Sequence, residues 1–176
     1  MLLQLNVEGI SKAKIDVINQ IAKEANPTAI LLQETHSTDH DSLSIPGYTL
    51  AAHINSRVYG IATFVLNSVN WHAVDTSPLG DEVEWISTNV AGVTVTNVYK
   101  PPKTPMQADS LPRYVQPCIY MYAGDFNSHS TTWGYSSNNS DGDVLEHWAS
   151  SLDLILLHDP KQPPSSSRNS SSSHPT

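Results

Sequence analysis

The sequence predicts a layered α/β or α+β sandwich with a mixed sheet, and three observations lead there. The chain opens with one strand–helix–strand alternation, a succession of short β-type segments follows, and one further helical pattern appears near residue 145. With 176 residues, 39% of them apolar, the chain can build one domain with a core but not two.

Taken in order, residues 2–7 read as a strand that begins almost at the first residue. Ser11 can cap a helix over 12–25, with Ile15, Ile18, Ile21, Ala22 and Ala25 on one face and Asn26-Pro27 ending it. Residues 28–33 form a continuous apolar run, the pattern of a strand covered on both faces. Pro46-Gly47 marks a turn, and 48–52 and 59–66 read as strands. Residues 83–90 and 93–98 alternate about Ala91-Gly92 and read as a hairpin. An irregular Pro-containing stretch starts at Pro101, and strand resumes over 119–123. A helix over 143–152 carries Val144, Leu145 and Trp148, and 154–157 reads as a last strand. The final seventeen residues hold seven Ser and four Pro. A domain over 1–159 and a disordered Ser/Pro-rich tail over 160–176 are therefore expected.

The formal net charge of -8 speaks against a polyanion binder that works through a basic face. It is compatible with acidic groups that hold divalent cations, because such ions invert the local field. Cys118 is the only cysteine, which excludes a disulfide framework and predicts a buried, reduced thiol. No signal peptide and no apolar run of membrane-spanning length is visible, so an intracellular chain with no membrane association is expected.

Three predicted strand ends share a chemistry. Asn6 lies in "LLQLNV", Gln33 and Glu34 close "AILLQE", and Asp125 and Asn127 close "YAGDFN". An ionised carboxylate at the rim of a core is costly unless it is paired or ligates a metal. A set of oxygen-bearing side chains suits a hard cation such as Mg²⁺. Strand alternation puts residues 125 and 127 on one face and Phe126 on the other, and Gly124 permits close backbone approach. Each stretch alone could equally be an ordinary strand-end turn with Asp and Asn bonded to local amides.

The ordered set Asn6, Gln33-Glu34-Thr35, Asn97-Val98-Tyr99 with Pro101-Pro102, and Gly124-Asp125-Phe126-Asn127 resembles the endonuclease/exonuclease/phosphatase superfamily, whose fold is DNase I-like. "GDFNSHSTTWGY" and "NVYKPP" together are most similar to the apurinic/apyrimidinic-type endonuclease domains of non-LTR retrotransposons of the LINE or jockey type, over residues 2 to about 164. That resemblance implies an α/β fold, a four-layer α/β/β/α sandwich of two mixed β-sheets. It also implies a Mg²⁺- or Mn²⁺-dependent phosphodiesterase that nicks DNA to prime reverse transcription.

By the same resemblance Glu34 is the main metal ligand with Asn6 beside it, and Asp125 activates the attacking water. Asn127 orients Asp125 or binds the scissile phosphate, and Tyr99 approaches the phosphate or leaving oxygen. Lys100, His129 and Arg57 are candidate substrate contacts. DNA is the implied partner, with a fused or associated reverse transcriptase, and the nucleus the implied place of action.

The family also ends with a Ser-Asp-His step, which has no match here. His174 follows Ser173 in the tail, and His158-Asp159 has the reverse order. The reading is therefore of a C-terminally incomplete domain lacking its final strands, with impaired activity and an open sheet edge. An inactive remnant that binds DNA or a partner, and another phosphoesterase such as a phosphatase or deadenylase, are the alternatives. Among remaining features, His36 with Asp39, His40 and Asp41 reads as a loop rather than a zinc helix. Trp133 and Tyr135 read as core, with base stacking the alternative, and Asp81, Glu82 and Glu84 as a solvated hairpin end.

Overall fold

A computed structural model describes residues 1–37, 43–114 and 117–157. In chain order its elements are β1 (Leu2–Asn6), α1 (Lys12–Ala25), β2 (Ala29–Gln33), β3 (Tyr48–Ile54), β4 (Ile61–Leu66), β5 (Trp71–Thr76), β6 (Glu84–Val90), β7 (Val93–Tyr99), β8 (Ile119–Asp125), a 3₁₀ turn Thr131–Trp133, and α2 (Ser140–Ser151). The strands form two four-stranded sheets, ordered β1-β2-β4-β3 and β5-β6-β7-β8. Each sheet is mixed: β1 with β2 and β7 with β8 are parallel, and the other neighbours are antiparallel.

Helix α1 forms where its caps dictate. Ser11 accepts from the Lys14 N–H at the start, and Asn26, left-handed at φ 44°, returns its own N–H to Ala22 at the end. Ile18 and Ala22 are buried against Ile30, Leu32 and Phe64, covering one face of the first sheet. Burying an isoleucine such as Ile18 contributes about 1.5–3 kcal/mol. On the second sheet α2 sets Leu145 and Trp148 against Trp85 and Val98.

Between the sheets lie Leu31, Val65, Val90 and Val95 at one end and Ile61, Ile86 and Tyr99 at the other. The layers are thus helix, sheet, sheet, helix. Strand β2 is buried along its whole length because alternate residues face α1 and the second sheet, as its unbroken apolar run requires.

A buried amide chain ties the sheets together. Gln4 Nε2 donates to Gln33 Oε1 and Gln33 Nε2 to Asn97 Oδ1, each at 2.6 Å. Asn97 Nδ2 lies 3.1–3.3 Å from the Leu32 and Ala62 carbonyls and Thr63 Oγ1. Gln33 and Asn97 are fully buried, so each amide must find its partners inside the protein. Gly124 serves the same end of the molecule: a Cβ there would come within 1.9 Å of the Val98 carbonyl oxygen, so only glycine lets β8 lie against β7.

The structure departs from the sequence expectations at several points. Strand β5 was not foreseen, because of its residues only Trp71 is even partly covered and the alternation is lost. Helix α2 begins three residues earlier than expected, where Asn139 accepts from the Gly142 N–H. Residues 154–157 form no strand: Ile155, Leu156 and Leu157 are exposed. Cys118 is exposed rather than buried. Asp39, His40, Asp41 and the tail from 158 lie outside the described residues. Among those described, no helix is long and apolar enough to cross a membrane.

Candidate active site

Parallel pairing brings four strand ends to one edge of the sandwich. Asn6 is in register with Gln33, the residue before Glu34, and Tyr99 is in register with Asp125. Ligands commonly bind beyond the carboxyl ends of parallel strands, where side chains from separate strands converge. Here Asn6 Nδ2 donates to Glu34 Oε1 at 2.8 Å and to Asp125 Oδ2 at 2.7 Å. One amide nitrogen thus touches two carboxylates that stand 91 positions apart in the sequence.

The other predicted catalytic side chains surround that contact. Asp125 Oδ1 accepts from the Asn127 N–H at 3.1 Å, and the Asn127 amide donates to the Lys100 carbonyl at 2.8 Å. Tyr99 is buried, with Glu34 and Asp125 near enough for their charges to act on its phenol. Burial first, then the charge of Glu34 and that of Asp125, push its phenol well above the ordinary range. The phenol therefore keeps its proton and acts as a donor. His36 Nε2 stands 3.7 Å from Glu34 Oε2. Glu34, His36 and Asn127 have φ of 53°, 51° and 43°, outside the usual helical and extended basins.

Not every expected contact joins this group. Lys100 is fully buried, and its ammonium is committed to Asp141 Oδ2 at 2.9 Å and to the Thr104 and Pro101 carbonyls at 2.8 and 3.2 Å. In this structure it anchors the loop after β7. Burial would raise the Asp141 pKa, but the Met106 N–H and Lys100 outweigh it and hold the carboxyl below its usual value. Arg57 is exposed on the loop before β4, the loop that bonds back to the Glu34 segment through Gly60 and Tyr59 carbonyls. His129 is exposed and stacks on Tyr135, while Trp133 packs beside the α2 core.

Sequence reading missed Glu84. It is buried, not solvated, and accepts from the Gly60 N–H at 2.9 Å; burial raises its pKa although that bond opposes the rise. Gly60 in turn accepts from the Thr35 N–H at 2.9 Å, so Glu84 steadies the turn that presents Glu34. The missed signal was the strand phase of Glu84, which shares a face with Ile86.

Among the described residues no group of three or more His, Cys, Asp or Glu is assembled to hold a metal ion. The donor chemistry nevertheless fits a hard divalent cation: two carboxylates meet at an accessible edge with only an amide between them. Glu34 would be the residue to hold it, with Asp125 next to it across the Asn6 amide. Asn6 turns its nitrogen to both, and its oxygen accepts from the Glu8 N–H at 3.2 Å. As oriented here, Asn6 separates two like charges rather than offering an oxygen.

Fold and site together define an α/β/β/α protein with an acidic group of oxygen donors at its strand ends. Residues 93–175 match the family model described as endonuclease-reverse transcriptase. No curated protein sequence matches the chain.

Among solved structures, the endonuclease domain of TRAS1, a telomere-specific non-LTR retrotransposon, superposes with a TM-score of 0.66 at 19% identity, over 90% of this chain and 74% of that one. The AP endonuclease LMAP from Leishmania major gives 0.64 at 14%, over 86% and 66%. An AP endonuclease from Archaeoglobus fulgidus gives 0.58 at 16%, over 85% and 69%. These likenesses show that the chain has the DNase I-like fold, the α/β/β/α sandwich of these endonucleases.

Proposed function

We propose that the chain is the endonuclease domain of a non-LTR retroelement, a phosphodiesterase dependent on Mg²⁺ or Mn²⁺ that nicks DNA for target-primed reverse transcription. The observation that carries this reading is the Asn6 amide held between Glu34 and Asp125. The similarity to the TRAS1 endonuclease domain and to the endonuclease-reverse transcriptase model supports the DNA substrate and the association with a reverse transcriptase.

Glu34 would hold the divalent cation, which when bound would supply neutralisation of the charge that builds on the phosphate oxygens. The protein's own groups do the rest. Asp125, fixed through one oxygen by the Asn127 N–H and through the other by Asn6, accepts the proton of the attacking water. Asn127 holds that carboxylate in place while its side chain ties the β8 end to Lys100. Tyr99, kept protonated, offers a hydrogen bond at the edge of the site and a fixed dipole toward developing negative charge.

The second reading is an inactive remnant that binds DNA or a partner.

A plasmid-nicking assay in Mg²⁺ tests both, with Glu34→Ala and Asp125→Ala as controls. Nicking by the wild type that is lost in both variants supports the proposal, and nicking that persists in both overturns it. A folded protein that binds divalent ions without turnover supports the remnant. Hydrolysis of nucleotides or phosphoinositides but not DNA points to another phosphoesterase.

A further inference from the structure

Beyond Asn127 the chain builds something that neither the core nor the acidic site requires. The His129 and Tyr135 rings stack at 4.3 Å between centroids with only 11° between their planes. Both residues are exposed, and Tyr135 keeps 48% of its surface open. An exposed aromatic pair in a loop would normally be loose, but this one is held from several sides.

The His129 N–H donates to Asn139 Oδ1 at 3.0 Å, and the Asn139 N–H returns to the His129 carbonyl at 3.0 Å. The Thr131 N–H donates to Asn138 Oδ1 at 2.8 Å, and the Tyr135 N–H reaches the Ser130 carbonyl at 3.1 Å. Ser130 is fully buried and donates to Glu146 on α2. Gly142 closes the arrangement, since a Cβ there would fall 1.9 Å from the His129 carbonyl oxygen.

The chemistry of this platform is specific. Residues 126–139 contain no Asp, Glu, Lys or Arg, only Asn, Ser, Thr, Gly and the aromatic side chains. Such a surface does not attract phosphate by charge. It offers a flat π-face and neutral hydrogen-bonding groups, which is what a nucleobase takes. His129 is two residues past Asn127, so their Cα atoms are at most about 7 Å apart. That spacing matches a base neighbouring the phosphodiester at Asp125.

Resting on the phosphodiesterase reading above, we propose that the His129–Tyr135 stack binds an unpaired nucleobase next to the phosphate to be cut, so that the protein prefers DNA with a base displaced from the helix.

The test measures equilibrium binding by the 176-residue chain, with divalent ions chelated, to two oligonucleotides. One is a fully paired duplex and the other carries a single unpaired 2-aminopurine. The platform predicts quenched 2-aminopurine fluorescence and tighter binding of the second DNA. Tyr135→Ala should weaken binding of that DNA by about 5- to 150-fold and leave the paired duplex unchanged. Tyr135→Phe, which keeps the ring, should behave as wild type.

Equal weakening on both DNAs, or no weakening by Tyr135→Ala, overturns the platform. If wild-type nicking of a paired plasmid survives alongside that result, the phosphodiesterase reading stands without it. Failure of the wild type to bind either DNA overturns the platform, while the phosphodiesterase reading is decided by plasmid nicking in Mg²⁺.

Discussion

Replacing Asn97 by alanine isolates the amide chain that links the sheets. The variant deletes a side chain that accepts from Gln33 Nε2 at 2.6 Å and donates toward Leu32, Ala62 and Thr63. Position 97 is fully buried, so no water replaces these partners. The orphaned Gln33 donor costs about 1–3 kcal/mol and the lost bonds of Asn97 itself add about 1 kcal/mol or more. A loss of about 3 kcal/mol is expected, a large share of the about 5–15 kcal/mol that holds a domain together.

In urea, with a slope near 2 kcal/mol/M, the midpoint should fall by about 1.5 M. Gln33→Leu alone should behave similarly. The double variant Gln33→Leu/Asn97→Leu should lose markedly less than the sum, because it removes the Gln33 donor together with its acceptor and leaves the exposed Gln4 amide to water. A fall below about 0.3 M for Asn97→Ala, or strict additivity in the double variant, would refute the claim that this chain of amides couples the sheets.

Three further outcomes are expected. Lys100→Ala should destabilise the fold by about 3 kcal/mol, since it leaves Asp141 without its buried partner; a loss of DNA affinity at unchanged melting temperature would instead mark a phosphate contact. Glu84 binds its proton more tightly folded than unfolded, so its contribution is fully present below the unfolded carboxyl value and declines as pH rises through the folded one. Glu84→Gln should therefore flatten the loss of thermal stability above about pH 4.5, which melts across a pH series will show. Gly124→Ala forces a methyl into the Val98 backbone and should abolish cooperative unfolding or soluble expression, read by circular dichroism.

The readable parts of this protein are those decided by local physics. Helix α1 was legible to the residue because Ser11, Asn26 and the Ile18–Ala22 stripe act within a few positions of one another. Strand β5 was not, because it is an outer strand whose partner, β6, supplies what its own pattern lacks. The apolar run at 154–157 misled for the converse reason: its residues looked like a strand, but no described strand pairs with them.

At the candidate site the residue types were visible, but their meeting was not. Nothing local in "LLQLNV" or "GDFN" says that Asn6 will touch Asp125; that follows from two parallel pairings. Lys100 and Glu84 show the limit most clearly. Glu84 read as solvated and Lys100 as a substrate contact, and the structure buries both.

The backbone at Glu34, His36 and Asn127 has an evolutionary corollary. Left-handed geometry costs a non-glycine residue on the order of 1 kcal/mol, somewhat less for Asn. A library of this domain screened for heat resistance alone should therefore accumulate glycine at 34 and 36, and its survivors would be sturdier proteins with an emptied site. Natural copies that keep Glu and His there carry the signature of selection for something other than durability.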